Sequence, residues 1–252
     1  MDGTLFWAFA AVATFVVGAS KGGVPGVGIL AVPILAQVIS PVVAAGLLLP
    51  LYIVSDVYGL WLYRKDYDPW NIKIMVLAGV IGLGVGWATA HYNSDNLVKL
   101  IVGVIGIWYS IDLYFKSKKQ DLESKPADVP RGLFWGSIAG FTSFVAHAGG
   151  IPFQMYVLPQ RLSKMKYAGT STITFAIINA LKLPPYWLLG QINMVSLEKC
   201  LYLTPMALFG AWAGFWLTKV LPEKPFFKAV EIALVLVSFN LIYEALRQLL
   251  PG

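Results

Sequence analysis

Charge is what this sequence has little of. Asp, Glu, Lys and Arg make up 13% of its 252 residues, against about 25% in an average soluble domain. Hydrophobic residues reach 58%, and the mean hydropathy is +0.69. Such a chain cannot cover a water-facing surface, which excludes a soluble enzyme, a disordered regulator and a nucleic-acid binder. Cysteine is almost absent as well. Cys200 stands alone, so an intramolecular disulfide and a multi-cysteine metal site are excluded. Histidine occurs twice, as His91 and His147. No G-x-x-x-x-G-K-[ST] stretch offers a nucleotide site, and neither H-E-x-x-H nor G-x-S-x-G supports an enzyme. No cofactor and no metal are expected. The first residues, Met1–Thr4, carry no basic side chain, so the first apolar segment is expected to remain in the mature protein rather than to be cleaved as a signal.

What is present is a series of ten apolar segments: Leu5–Ser20, Val24–Ile39, Val42–Tyr63, Ile72–His91, Leu97–Phe115, Gly132–His147, Ile151–Leu158, Tyr167–Gly190, Leu197–Val220 and Phe226–Leu249. A helix that crosses a bilayer needs about 20 apolar residues, and most of these segments approach that length. The expected fold is an all-α polytopic membrane protein. Two segments are short, and each begins at a Gly-Gly-x-Pro element, Gly22-Gly23-Val24-Pro25 and Gly149-Gly150-Ile151-Pro152. Proline and paired glycines interrupt helices. Short, interrupted segments placed alike in two halves point to a transporter's binding site.

The halves do match. The two Gly-Gly-x-Pro elements lie 127 residues apart, Gly46 and Asp56 match Gly169 and Asn179 at 123, and Gly82 and Gly86 match Gly210 and Gly214 at 128. Ser110, Asp112 and Leu113 pair with Ser238, Asn240 and Leu241 at the same 128. We expect two repeats of about five segments each, residues 1–115 and 132–252, joined by a polar cytoplasmic linker at 116–131. The basic residues set orientation. With the N-terminus outside and ten alternating segments, 15 of the 19 Lys and Arg fall on one face, Lys99, Lys182, Lys199 and Arg247 being the exceptions. This obeys the positive-inside rule, whereas eight segments divide the charges more evenly. The repeats are then inverted, and both termini are extracytoplasmic in a multi-pass inner-membrane protein. Parity is the same whether each short piece crosses or returns as a re-entrant arm.

Three stretches and one acid carry the candidate chemistry. In the first, Ser20, Lys21, Gly22 and Gly23 close a helix; exposed N–H groups and the positive helix end attract anions, and Lys21 either adds a full charge or snorkels to the interface. In the second, Thr142, Ser143, His147, Gly149, Gly150 and Gln154 surround the other break. His147, with a reference pKa of about 6.5, can donate to an oxyanion, carry a coupling proton or simply cap the helix. In the third, Asn179 and Lys182 lie three apart on one helical face. A lysine at a helix centre costs about 2.5–3.5 kcal/mol, so Lys182 faces a cavity or snorkels from the helix end. Asp56, aligned with Asn179, is an acid deep in its segment, able to carry a coupling proton, to pair with Lys21 or Lys182, or to bond nearby backbone. Nine Trp and twelve Tyr suit interfacial belts.

At these motifs the sequence resembles the TauE/SafE family of sulfite exporters, which also includes organosulfonate and related anion permeases. The stretches that carry the resemblance are Gly18-Ala-Ser-Lys-Gly-Gly, Ala31-Val-Pro33, Leu49-Pro50-Leu51 with Asp56, Gly140-Phe-Thr-Ser-Phe-Val-Ala-His-Ala-Gly-Gly, Tyr156-Val-Leu-Pro-Gln160-Arg-Leu and Asn179-Ala-Leu-Lys-Leu-Pro-Pro-Tyr186. Ile151 departs from the pattern, since many relatives carry a second proline there. The resemblance implies export of sulfite by alternating access. A permease for an organosulfonate such as sulfoacetate and a passive anion channel are the alternatives. Outside transport, a membrane-embedded enzyme using Ser143 or His147 and a purely structural subunit remain as rivals. Expected partners are a small anion, the lipid bilayer and, as a candidate, a second copy of the chain, with no nucleic acid.

Overall fold

The computed structural model describes residues 3–24, 26–90 and 124–249, together with positions 96, 100, 103, 104, 106–108, 110 and 111. Among the described residues every regular element is helical. The helices are α1 (Thr4–Lys21), α2 (Ala31–Leu35), α3 (Pro41–Leu62), α4 (Pro69–Ala88), α5 (Val129–Ala146), α6 (Gly150–Val157), α7 (Lys164–Leu188), α8 (Met194–Val220) and α9 (Glu223–Leu249). Single 3-10 turns, Val27–Leu30 and Leu158–Gln160, adjoin the two short helices. Most of the segment at 97–115 and the first half of the linker at 116–131, with Pro25 and His91, lie outside the described residues.

Several long helices begin a few residues before the apolar run that announces them, because a polar cap and a proline open them. Asp68 accepts from the Asn71 N–H ahead of Pro69, Asp128 from the Arg131 N–H, and Asn193 and Ser196 form a capping box. Such caps satisfy N–H groups that the helix itself leaves unpaired. Four helices, α1, α3, α4 and α8, are long and apolar enough to cross a membrane. Helices α5 and α7 have 18 and 25 residues but are more polar: α5 opens on Arg131, and α7 carries Lys164, Lys166, Lys182 and a run of hydroxyls. The outward faces carry large exposed apolar side chains, among them Trp61, Ile81, Leu201, Trp212 and Leu236, as lipid-facing surfaces do.

Glycines set how the helices pack. Any Cβ on Gly18 or Gly22 would strike the Ala207 or Ala211 carbonyl, and any on Gly210 or Gly214 the Phe15 or Ala19 carbonyl. Helices α1 and α8 therefore lie backbone against backbone, as small residues permit in membranes. Since the contacts advance together along both chains, the two helices are parallel. Helices α4 and α5 make the matching close pair, with Gly82 at the Ser137 carbonyl and Gly86 at Phe144. Helices α3 and α7 are antiparallel: Gly46 meets Gln191 at one end, and Gly169 meets Asp66 at the other.

The end containing Asp66 is tied by polar bonds. The Asn71 and Gln160 amides bond reciprocally at 2.8 and 3.0 Å, the Asp68 N–H donates to Thr170, and the Lys164 ammonium donates to the Lys219 and Leu221 carbonyls at the end of α8. Helices α1, α3 and α8 run toward this end, whereas α4, α5 and α7 run away from it. Both short helices are shorter than a helix that crosses a bilayer. The eight residues of α6 span roughly 12 Å at 1.5 Å per residue, and α2 is shorter still. Each packs against the long helix before it, α2 on α1 and α6 on α5, and each lies in the stretch that carries the chain back to the start of the next long helix.

Candidate functional site

The first break follows Lys21. Gly23 and Gly26 adopt positive φ, 103° and 81°, a region open to glycine at no steric cost, and they turn the chain back into the Val27–Leu30 turn. The Gly22 carbonyl accepts from the Tyr63 hydroxyl at 2.5 Å, which pins the turn to the end of α3. The second break follows Ala146. His147 has φ 51°, and the Ala148 N–H donates to the Thr142 carbonyl. Helix α6 then starts at Gly150 with no side-chain cap.

The two breaks meet around a cavity of about 70 Å³. A single water needs roughly 10–15 Å³ on that scale, so the space suits several waters or one small oxyanion. Helix α1 contributes Ser20 and Lys21, the first break Gly26, Gly28 and Ile29, and α3 Tyr52. From the second half come Ser143, His147, Gly149 and Gly150, and from α7 Ser171, Thr172, Phe175 and Asn179. The uncapped start of α6 thus faces the cavity through Gly149 and Gly150, which places positive helix-end charge on its wall.

Lys21 does not snorkel. Its ammonium lies 2.8 Å from Asp56 Oδ1, 5.2 Å from the centre of the Tyr52 ring and 5.8 Å from that of Phe175. Asn179 donates to Asp56 Oδ2 at 2.9 Å. Lys182 does not snorkel either: it is fully buried, and its ammonium meets the Ser143 carbonyl at 3.1 Å, Ser143 Oγ at 3.3 Å and His147 Nδ1 at 3.3 Å. An ammonium only donates, so Nδ1 accepts, and the ring proton is assigned to Nε2, which lies 3.0 Å from the Tyr186 hydroxyl. Tyr186 in turn donates to the Phe144 carbonyl. The His147 ring stacks on Tyr52, 5.6 Å between centres.

Of the residues singled out from sequence, Ser20, Lys21, Ser143, His147, Gly149, Gly150 and Asn179 line the cavity. Asp56 lies directly behind Lys21, and Lys182 behind Ser143 and His147. Four others stand apart from the lining. Gly22 and Gly23 pack at Ala211 and Tyr63, and the Thr142 hydroxyl bonds back to the Ile138 carbonyl. Gln154 is buried on α6, its Oε1 without a hydrogen-bond partner among the described residues. Sequence reasoning missed Tyr52, Phe175, Ser171, Thr172 and Tyr186. A signal for two of these was present: Tyr52 and Phe175 are 123 residues apart, the spacing that relates Asp56 to Asn179.

The family profile described as "Sulfite exporter TauE/SafE" matches residues 10–241. The chain therefore belongs to the TauE/SafE family. It is a multi-pass membrane transporter and not an enzyme, and the family implies an anionic substrate. No curated protein and no solved structure matches the chain.

Proposed function

We propose that this member of the TauE/SafE family is a secondary transporter of a small sulfur oxyanion, with sulfite export by alternating access as its activity. The observation that carries this reading is the cavity at the meeting of the two broken helices, with the Lys21 ammonium and the uncapped start of α6 on its wall. Backbone N–H groups at Gly149 and Gly150, with Ser20, Ser143 and Asn179, surround the anion's oxygens. Lys21 supplies charge directly. Lys182 acts from behind by fixing Ser143 and His147. The family description supplies sulfite as the first substrate to test. A sulfonate presents the same sulfur-oxygen head group, so sulfoacetate belongs in the same experiment.

Alternating access requires two halves that can exchange roles. We read residues 1–115 and 132–252 as inverted repeats about the linker. Three features support this. The α1–α8 and α4–α5 contacts use equivalent glycines of the two halves. Helices α1, α3 and α8 run opposite to their counterparts α5, α7 and α4. Asp56 and Asn179, equivalent by spacing, hydrogen-bond to each other, as residues beside a pseudo-two-fold axis do. Arg64, Lys65, Lys73, Lys164 and Lys166 lie at or next to the end where α3 finishes and α4 and α7 begin, which supports a cytoplasmic assignment for that end and an extracytoplasmic N-terminus.

The test is sulfite flux into proteoliposomes of purified protein, with sulfate, sulfoacetate and chloride as competitors. Saturable flux that sulfoacetate inhibits and chloride does not supports the carrier. Flux that rises linearly with sulfite means a channel, and flux equal to empty liposomes under every gradient overturns the reading.

A further inference from the structure

Several of the cavity's side-chain donors are already spent. Ser20 donates to the Val17 carbonyl, Tyr52 to the Gly28 carbonyl and Thr172 to the Lys21 carbonyl. The His147 ring is engaged at both nitrogens. Lys21 and Asn179, the cation and the amide on the cavity wall, both point their donors at one acceptor, the Asp56 carboxylate. Asp56 itself is not part of the cavity lining. It holds from behind the two groups best able to bind an anion. While Asp56 is charged, Lys21 is neutralised at 2.8 Å, and an entering anion must compete with a tethered carboxylate for the same ammonium.

We propose that a proton on Asp56 is what opens this site, releasing Lys21 and Asn179 to the anion, so that anion binding takes up one proton from solution. This rests on the transporter reading above and names its coupling ion. The step is a proton transfer alone: a proton from solution bonds to a carboxylate oxygen of Asp56, the Lys21–Asp56 ion pair ends, and the anion becomes the new counter-ion of Lys21. No net charge is added to the buried site, because the anion and the proton arrive together. Burial makes any other stoichiometry costly, since an isolated charge in the bilayer interior is strongly disfavoured.

The groups facing Asp56 are few. Helix α1 brings Lys21, α7 brings Asn179 and Lys182, and α3 itself brings Tyr52 one turn away. His147 lies across the Tyr52 ring. Helix α2 has no titratable side chain, and α8, which also packs on α3, places Cys200 at the Leu47 carbonyl and carries Glu198, Lys199 and Lys219 toward its two ends. Among the described residues the other acid in this set, Glu198, lies toward an end of α8, so Asp56 is the group at the site that can exchange a proton for the anion's charge.

The experiment is calorimetric titration of the purified full-length protein with methanesulfonate, whose single charge does not change over the working pH range, and in parallel with sulfite. Each is run in two buffers of different ionisation heat, so that the buffer-dependent part of the signal counts protons. Wild type is expected to take up one proton per methanesulfonate, with affinity falling about tenfold per pH unit on the alkaline side. Asp56→Asn, which mimics the protonated acid, is expected to bind without uptake and to bind at least about tenfold more tightly than wild type at alkaline pH. For sulfite, the difference between wild type and variant isolates the protein's proton from the ligand's own. Binding by wild type without uptake, or uptake that persists in Asp56→Asn, overturns the proposal and leaves the transporter reading standing. Absence of binding by either anion to a folded wild type overturns both. Should Asp56→Asn fail to fold, the neutral pair Lys21→Met with Asp56→Asn is measured instead. It is expected to fold and to lose anion binding at least about tenfold, and unchanged binding overturns the proposal.

Discussion

Asn179 donates a hydrogen bond of 2.9 Å to Asp56, across 123 positions of sequence. Both are buried, so the bond joins α3 to α7 at the wall of the cavity. A hydrogen bond to a charged group contributes about 1.5–3 kcal/mol. Asn179→Ala is expected to lower stability by about that amount, read as a reduced unfolding temperature in detergent. Asn179→Asp should be worse, because it sets two carboxylates side by side.

Lys21 and Asp56 form a buried pair, and each alone is a liability. Removing one partner of such a pair costs about 3–5 kcal/mol, mostly through the charge left behind. Lys21→Ala is expected to show a loss of that size. Adding Asp56→Asn to it should recover most of the stability while leaving sulfite flux at the background of empty liposomes. A double variant no more stable than Lys21→Ala would mean that the pair's energy does not lie in its charges.

Lys182 is expected to act on the site through Ser143 and His147, which it holds from behind. Lys182→Met keeps most of the bulk and removes three hydrogen bonds. Sulfite flux should fall by about tenfold, equivalent to about 1.4 kcal/mol in the barrier, with a stability loss of about 1–3 kcal/mol. Tyr186→Phe, which leaves Lys182 in place but removes the partner of His147 Nε2, should give a smaller loss of flux. If Lys182→Met transports as well as wild type, the positioning role is wrong.

Helix α4 holds a controlled comparison. A Cβ on Gly82 would lie 1.9 Å from the Ser137 carbonyl oxygen, whereas one on Gly84 would meet nothing within 4 Å. Gly84→Ala is expected to stabilise by about 0.5–1 kcal/mol, the usual gain of alanine over glycine in a helix. Gly82→Ala should destabilise by about 1–3 kcal/mol, because it forces α4 away from α5. Paired thermal melts of the two variants check both signs.

The sequence by itself determined the solvent and the element list. Too few charges, long apolar runs and polar caps dictate membrane helices, because an unpaired backbone group in hydrocarbon costs several kcal/mol. It marked both breaks, since glycine and proline act locally, and seven of the twelve residues first marked for the substrate do line the cavity. It could not say how the short pieces are built, because charge parity is the same either way; only the structure shows each as a brief helix flanked by a 3-10 turn. Nor could it distinguish Gly22, which serves α1–α8 packing, from Gly26 and Gly28, which face the cavity, since the local pattern is alike and only the neighbouring helix differs. The partners of Lys21 and Lys182 were undecided for the same reason. A buried ammonium takes whichever acceptor the packing brings within reach, and the bonds to Asp56, Ser143 and His147 join residues 35 or more positions apart, a choice that only the assembled helices make.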